Sequence, residues 1–289
     1  MFRVRTIETV ASTNLLVKEG IDAGAAEGLA VLAFQQTAGY GRQGRGWVSP
    51  PGGMYLSFLL RPAVRADELP SVSLVVGLAV REAVEGWLTS DQLRRAVGWK
   101  PCCGTDRQPP APADLLPEVS VKWPNDIMLG EGKVAGVSLE LHRGAICVGV
   151  GANVLRNMTA AEVQGKYASA FLSDALAGRC DPLLTRDAQT LSADQRCAIE
   201  GLAQVVLACL EPRYRAWRQR GFAACAAEYR SRQFLTDRWV RMVNLDGDVI
   251  VEGVSEGVDE RGSLLVRTAE GLRAVSSGEA HVQRTRQRP

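Results

Sequence analysis

Residues Gln35 to Gly53 read QQTAGYGRQGRGWVSPPGG, and the fold class turns on what this segment is. It follows LAVLAF, Leu29 to Phe34, an apolar run that reads as a buried strand. Within it, Gly39-x-Gly41-x-x-Gly44 matches the dinucleotide fingerprint of a doubly wound parallel sheet. That fingerprint needs a helix directly after the glycines, so that a pyrophosphate can rest on the helix N-terminus. Pro50, Pro51, Gly52 and Gly53 rule such a helix out. What remains is a glycine-rich loop carrying Arg42 and Arg45 and ending in Trp47. Its backbone can approach a ligand closely, and its guanidinium groups can hold phosphate bidentately.

Working outward, Ser12-Thr13-Asn14 precede LLVKEGI, so the hydroxyls can cap a short helix whose apolar face is Leu15, Leu16 and Ile21. After the loop, MYLSFLL (Met54 to Leu60) is a strand candidate. From Ser71, SVSLVVGLAVREAVEGWL places Val72, Val75, Val76, Ala79, Val80, Ala83 and Trp87 at helical spacing, which predicts a core helix. Residues 98–117 break the pattern with prolines at 101, 109, 110, 112 and 117 and read as a surface insertion. EVSVKWPNDIML is a strand entering a turn at Pro124-Asn125-Asp126, and GKVAGVSLEL and AICVGVGANV are two more strands joined as a hairpin through HRG. A long helix from Ser192 to about Arg220, stopped at Gly221, precedes a second from Phe222 to Arg232. Beyond Thr236 short β-like runs predict a separate small barrel of about five strands. The fold class is thus α/β (α+β): a mixed, mostly antiparallel sheet flanked by helices over residues 1–236, then a small β-barrel over 237–289.

The 289 residues are 46% hydrophobic with a formal net charge of +2, so neither nucleic acid nor an anionic membrane surface is implied by charge. No apolar run is long enough to span a bilayer, and MFRVRTIETVASTN lacks the apolar core of a signal peptide, so a cytoplasmic protein is expected. Seven scattered cysteines without a C-x-x-C pair read as reduced and mostly buried, and His142 and His281, isolated in apolar strand-like segments, read as structural.

Four segments concentrate glycine, charge and amide groups beyond what the fold demands: Ser12-Thr13-Asn14, Gln36 to Trp47, Lys122 to Asp126 with Lys133, and Gly149-x-Gly151-x-Asn153. Singly, each has a bland reading as a cap, a surface loop, a strand-end turn or a lightened strand. Together and in this order they resemble the biotin protein ligase family. QTAGYGRQGRGW is similar to that family's adenylate loop, KWPND matches its pentapeptide unchanged, and Lys133 in KVAG falls at the family spacing. SGEAHV resembles the end of its small SH3-like domain. The similarity runs from Ser12 to Val282, leaving out the insertion.

The resemblance implies that biotin and ATP condense to biotinyl-5′-AMP and pyrophosphate, and that a lysine of a carboxylase carrier domain then takes the biotinyl group. Joining a carboxylate to an α-phosphate brings anions together, so cations and Mg²⁺ are needed where charge develops. By resemblance Arg42, Arg45, Lys133 and Asp126 form the catalytic set, with Asp126 beside either the incoming amine or the metal. Biotin falls to Ser12, Thr13, Asn14, Gln36, Gly39, Tyr40, Gly41, Arg42, Lys133, Gly136 and Gly149. The adenylate falls to Arg42, Arg45, Trp47, Asn125, Lys133, Gly151 and Asn153, with Trp47 covering the adenine and Asn153 its amide partner.

Tyr40 departs from the family, whose loop carries arginine there. A phosphate contact by that side chain is lost, whereas a backbone contact, ring packing against biotin, or a tyrosine folded back on the surface are all open, and Arg42 and Arg45 bear more of the electrostatic work. The family also contains repressors with an N-terminal helix-turn-helix; here the Ser-Thr-Asn element begins at residue 12, so no DNA partner is expected. A lipoate ligase and a non-catalytic biotin or adenylate binder are the alternatives. KWPND and the glycine-arginine loop favour biotin over lipoate, and the full charged set favours a ligase over a binder. A monomer and a homodimer are both compatible with the sequence.

Overall fold

Seven strands form one sheet: β1 (Arg3–Val10), β2 (Leu29–Gln36), β3 (Gly53–Leu60), β4 (Val119–Lys122), β5 (Asp126–Leu129), β6 (Gly132–His142) and β7 (Ala145–Asn153). Their order is β1-β2-β3-β7-β6-β5-β4. β1 and β2 run parallel, with helix α1 (Thr13–Asp22) between them; the other pairs are antiparallel. The computed structural model describes residues 1–90, 116–156, 168–177, 190–244 and 246–282. The proline-rich insertion, but for residues 116 and 117, and Cys102, Cys103 and Cys180 lie outside them.

Because side chains alternate along each strand, the sheet has two unlike faces. Across the register, Leu32, Leu56, Val150 and Val137 stand in one row. These residues join the main core together with α2 (Val72–Trp87) and α4 (Ala193–Arg220). Each fully buried Val or Leu there contributes about 1.5–3 kcal/mol. Ser192 and Gln195 close a capping box at the start of α4, and Gly221, at φ 65°, ends it where a side chain would be strained. Helices α3 (Leu172–Ala177) and α5 (Ala223–Ser231) complete this layer.

On the opposite face α1 covers only part of the sheet. Its Val17 and Ile21 pack on Val31, Leu59, Ala145 and Cys147. This corrects the predicted apolar face: Leu15 is exposed, Leu16 is half-buried, and Val17 is the buried residue. The predicted hydroxyl cap is also absent, since Ser12 sits at the N-cap without a side-chain hydrogen bond and the Thr13 hydroxyl is committed to Ser57. Strand β1 escaped the sequence reading because it lies at the sheet edge with most of its residues exposed, so no apolar alternation marks it.

A second sheet is built from β8 (Trp239–Val243), β9 (Val249–Val258), β10 (Leu264–Thr268), β11 (Gly271–Val275) and β12 (Glu279–Val282), all antiparallel, in the order β11-β10-β9-β8-β12. It joins the first through the buried Trp123, whose indole N–H donates to the Gly262 carbonyl at 2.9 Å. The described cysteines are free: Cys147 and Cys225 are buried, Cys209 is half-buried and Cys197 is exposed. Among the described residues no helix is long and apolar enough to cross a membrane.

Candidate active site

The face that α1 leaves uncovered carries the chemistry. One register row crosses five strands as Tyr55, Gly151, Gly136, Asp126 and Lys122, and the next carries Ser57, Gly149 and Ser138. Glycines at the row centres leave space above the sheet, which becomes a cavity of about 600 Å³. That volume lies within the range of about 300–1,000 Å³ that small-molecule sites occupy.

One end of the cavity is ionic. Lys133 Nζ lies 2.6 Å from Asp126 Oδ1, and Lys122 Nζ lies 3.8 Å from Asp126 Oδ2. The register of β5 and β6 shifts between Ile127 and Met128, where Met128 pairs with Lys133, and such a bulge re-aims a side chain. Above this group the glycine loop bends back as a short bridge between Tyr40 and Gly46. A 3₁₀ turn at Arg42–Gly44 follows, with Gln43 at φ 59°, so no helix succeeds the glycines. Arg42 donates to Asn125 Oδ1 at 2.9 Å, and Asn125 donates in turn to the Val137 carbonyl. Burial pulls the Arg42 guanidinium below its ordinary pKa, against the opposing pull of Glu279 and Asp126. Arg45 is paired with Glu279 of β12. The Trp47 ring lies against Gly151 and 5.1 Å from Lys133 Nζ; a Cβ at residue 151 would come within 2.7 Å of the indole nitrogen.

The other end is a hydrogen-bonded chain of hydroxyl and amide groups that ends on the Glu140 carboxylate. Gln36 accepts from the Thr13 N–H at 2.8 Å and donates to Ser49, while the Thr13 hydroxyl donates to Ser57 at 2.6 Å, since the Ser57 proton goes on to Asn14. Ser57 donates to Asn14 Oδ1 at 2.6 Å, and Asn14 donates to Glu140 at 3.1 Å.

A family model described as the Biotin/lipoate A/B protein ligase family matches residues 6–155. The chain belongs to that family. Residues 240–281, within the second sheet, match the Biotin protein ligase C terminal domain. The biotin–[acetyl-CoA-carboxylase] ligase of Mycobacterium tuberculosis is 28% identical to this ligase over 284 residues, covering 95% of this chain and 88% of the relative. The bifunctional ligase/repressor BirA of Bacillus subtilis is 26% identical over 278 residues, covering 94% and 71%. Among solved structures, the biotin protein ligase from Aquifex aeolicus in complex with biotin and ATP superposes with a TM-score of 0.69 at 26% identity, covering 99% of this chain and 100% of that one.

Of the residues singled out in the ligase sequence, Thr13, Asn14, Gln36, Tyr40, Gly41, Arg42, Arg45, Trp47, Asn125, Asp126, Lys133, Gly136, Gly149, Gly151 and Asn153 line this one cavity. Ser12 and Gly39 do not. Ser12 is buried at the start of α1, and a Cβ on Gly39 would meet Ser49, Trp47 and Gln36 rather than open space. The Asn153 amide donates to the carbonyls of Lys133 and Ala170, so its nitrogen is already committed to shaping the wall. The sequence reading missed Tyr55, Ser57, Ser138, Glu279 and His281, which also line the cavity. His281, read as structural, stands 3.6 Å from Glu279 because β12 brings its side chains to the cavity. His142 does sit outside it, tied to Asp22 at 2.8 Å.

Proposed function

We propose that this chain activates biotin with ATP to biotinyl-5′-AMP and then transfers the biotinyl group to a lysine of a carboxylase biotin carrier domain. The observation that carries the reading is one cavity with lysine and arginine side chains at one end and a neutral hydrogen-bonding floor at the other. In the first step a biotin carboxylate oxygen forms a bond to the α-phosphorus as the bond to pyrophosphate breaks, so two anions must meet. Lys133 and Arg42, each fixed by a hydrogen-bonded partner, supply positive charge there without having to reorganise. A ureido ring, with two donors and one acceptor, suits the floor of Thr13, Asn14, Ser57 and Ser138 better than a dithiolane, which offers neither.

In the second step the carrier amine attacks the acyl carbon, its bond to the phosphate oxygen breaks and AMP leaves. Asp126 lies between two ammonium groups, which supports a role in orienting a third. Mg²⁺ takes oxygen ligands and leans on substrate phosphates; Asp126 and Glu279, carboxylates that line the cavity, would hold it, and it would screen the triphosphate. Trp47, lying on Gly151, offers a face for stacking a purine. The test is ATP–pyrophosphate exchange by purified protein with biotin and with lipoate in parallel. Biotin-dependent exchange is the expected outcome, and exchange driven by lipoate alone would overturn the substrate assignment.

A further inference from the structure

The neutral floor and the glycine loop form one hydrogen-bonded circuit that begins and ends on the loop. At one end Gln36 donates to Ser49, whose hydroxyl donates to the Trp47 carbonyl at 2.8 Å. From Gln36 the chain passes through Thr13, Ser57 and Asn14 to Glu140. Glu140 is ion-paired with Lys18 of α1, and Lys18 Nζ donates to the Tyr40 hydroxyl at 3.1 Å, with its charge 5.5 Å from the ring centroid. The circuit therefore returns to the loop at Tyr40. None of the roles described above uses Lys18 or Glu140.

We propose that Lys18 and Glu140 are positioning residues that hold Tyr40, and with it the glycine loop, against the floor that receives biotin. The proposal rests on the biotin-ligase reading and deepens it. The Tyr40 side chain carries no charge of its own, and burial raises its pKa, so it stays protonated. The cation at this corner sits instead on the helix, at Lys18. Burial there opposes the charge, but hydrogen bonds to Glu140 and Tyr40 outweigh it and keep the ammonium protonated. Asn14 and Lys18 share the two Glu140 oxygens, so the same carboxylate that orients a floor amide also holds the ammonium that orients the loop. Both residues are only part-buried, and their contribution is one of placement.

The test uses the full-length enzyme with Lys18→Met, Tyr40→Phe, the double variant and Lys18→Arg. Biotin-dependent exchange gives KM and kcat, and biotin deposited on a bystander albumin reports escape of the adenylate. Losing a charge-assisted anchor is expected to raise the biotin KM about tenfold and escape severalfold, with kcat changed by less than about threefold. The double variant should be no worse than the worse single one, because both break the same link. Lys18→Arg should recover most of the loss. Tyr40→Phe removes one oxygen and keeps the test open should Lys18→Met fold poorly. Parental values in Tyr40→Phe, multiplicative effects in the double variant, or Lys18→Arg as impaired as Lys18→Met would each overturn the proposal. A parent enzyme without biotin-dependent exchange would overturn the ligase reading instead.

Discussion

The two ends of the cavity solve opposite problems. At the neutral end, side chains satisfy one another, so the floor exists in its binding shape before a ligand arrives. At the ionic end, Lys133, Lys122, Arg42 and Arg45 gather around two carboxylates, and that balance shifts once a triphosphate enters. A preformed floor confers selectivity, because it fixes its hydroxyl and amide groups in directions that a ligand with matching groups meets without reorganising them. A cluster of paired charges confers catalysis, because its groups meet charge that develops only as the reaction proceeds. Substitutions at the two ends should therefore separate in kind, turnover at one and biotin affinity at the other.

The largest effect is expected from Lys133→Ala, which removes the ammonium beside Asp126. Biotin-dependent exchange should fall by about 10³-fold or more, as for loss of a main charge-stabilising donor. Asp126 keeps Lys122 as a partner, so the fold should survive, with a Tm shift of no more than a few degrees. Unchanged exchange in a folded variant would remove Lys133 from the catalytic set.

Arg42→Gly should act on retention. A mixed anhydride is open to attack by water and by any amine, so the loop must cover it until the carrier arrives. Arg42 pins the loop to Asn125 and lends charge to the condensation, so without it the adenylate should form more slowly, yet about a tenfold larger share of it should appear as biotin on a bystander albumin. If adenylate forms but escape does not rise, Arg45 or the backbone amides hold it.

Gly149→Ala crosses to the neutral end. Gly149 has no positive φ, so alanine meets no backbone strain, but its Cβ would lie 2.5 Å from Asn14 Oδ1 and 2.6 Å from Ser138 Oγ. The floor must open, and the biotin KM should rise about tenfold while the ATP KM stays within about twofold. Equal rises in both would show that the two ends are not independent.

These contrasts also explain what could be read from the residues alone. The glycine loop and KWPND were legible because their peculiarity is local: proline after glycine forbids a helix, and charge, amide and proline crowd into five residues. Ser57, Ser138, Lys18 and Glu140 were not, because each looks ordinary in its own strand or helix. Ser57 and Ser138 matter because β3, β7 and β6 set them on either side of Gly149, a register that no short window contains. Glu279 and His281 reach the cavity only because β12 of the second sheet is brought to it. Val17 rather than Leu15 is buried because Thr13, Val17 and Ile21 stand four residues apart on one face, and that face begins with polar site residues that an apolar count leaves out.

Glu279→Gln is expected to give the smallest effect, and its sign decides what the second sheet contributes. Glu279 pairs with Arg45, whose side chain is 55% exposed, so the pair is worth at most about 1 kcal/mol and the change in ATP KM should stay within about fivefold. If the carboxylate serves mainly to hold Arg45 until phosphate arrives, removing its charge frees the guanidinium and lowers repulsion toward an anionic substrate. The ATP KM should then fall by about twofold at low ionic strength, and the gain should fade in salt as screening shortens the reach of both charges. If instead Glu279 makes a contact that ATP or its metal requires, the KM rises and salt does not restore it. A fall that salt erases is the outcome expected from the pairing with Arg45, and it would make β12 a tether for the glycine loop. A salt-insensitive rise would make the same strand a wall of the nucleotide site, extending the ionic end of the cavity into the second sheet.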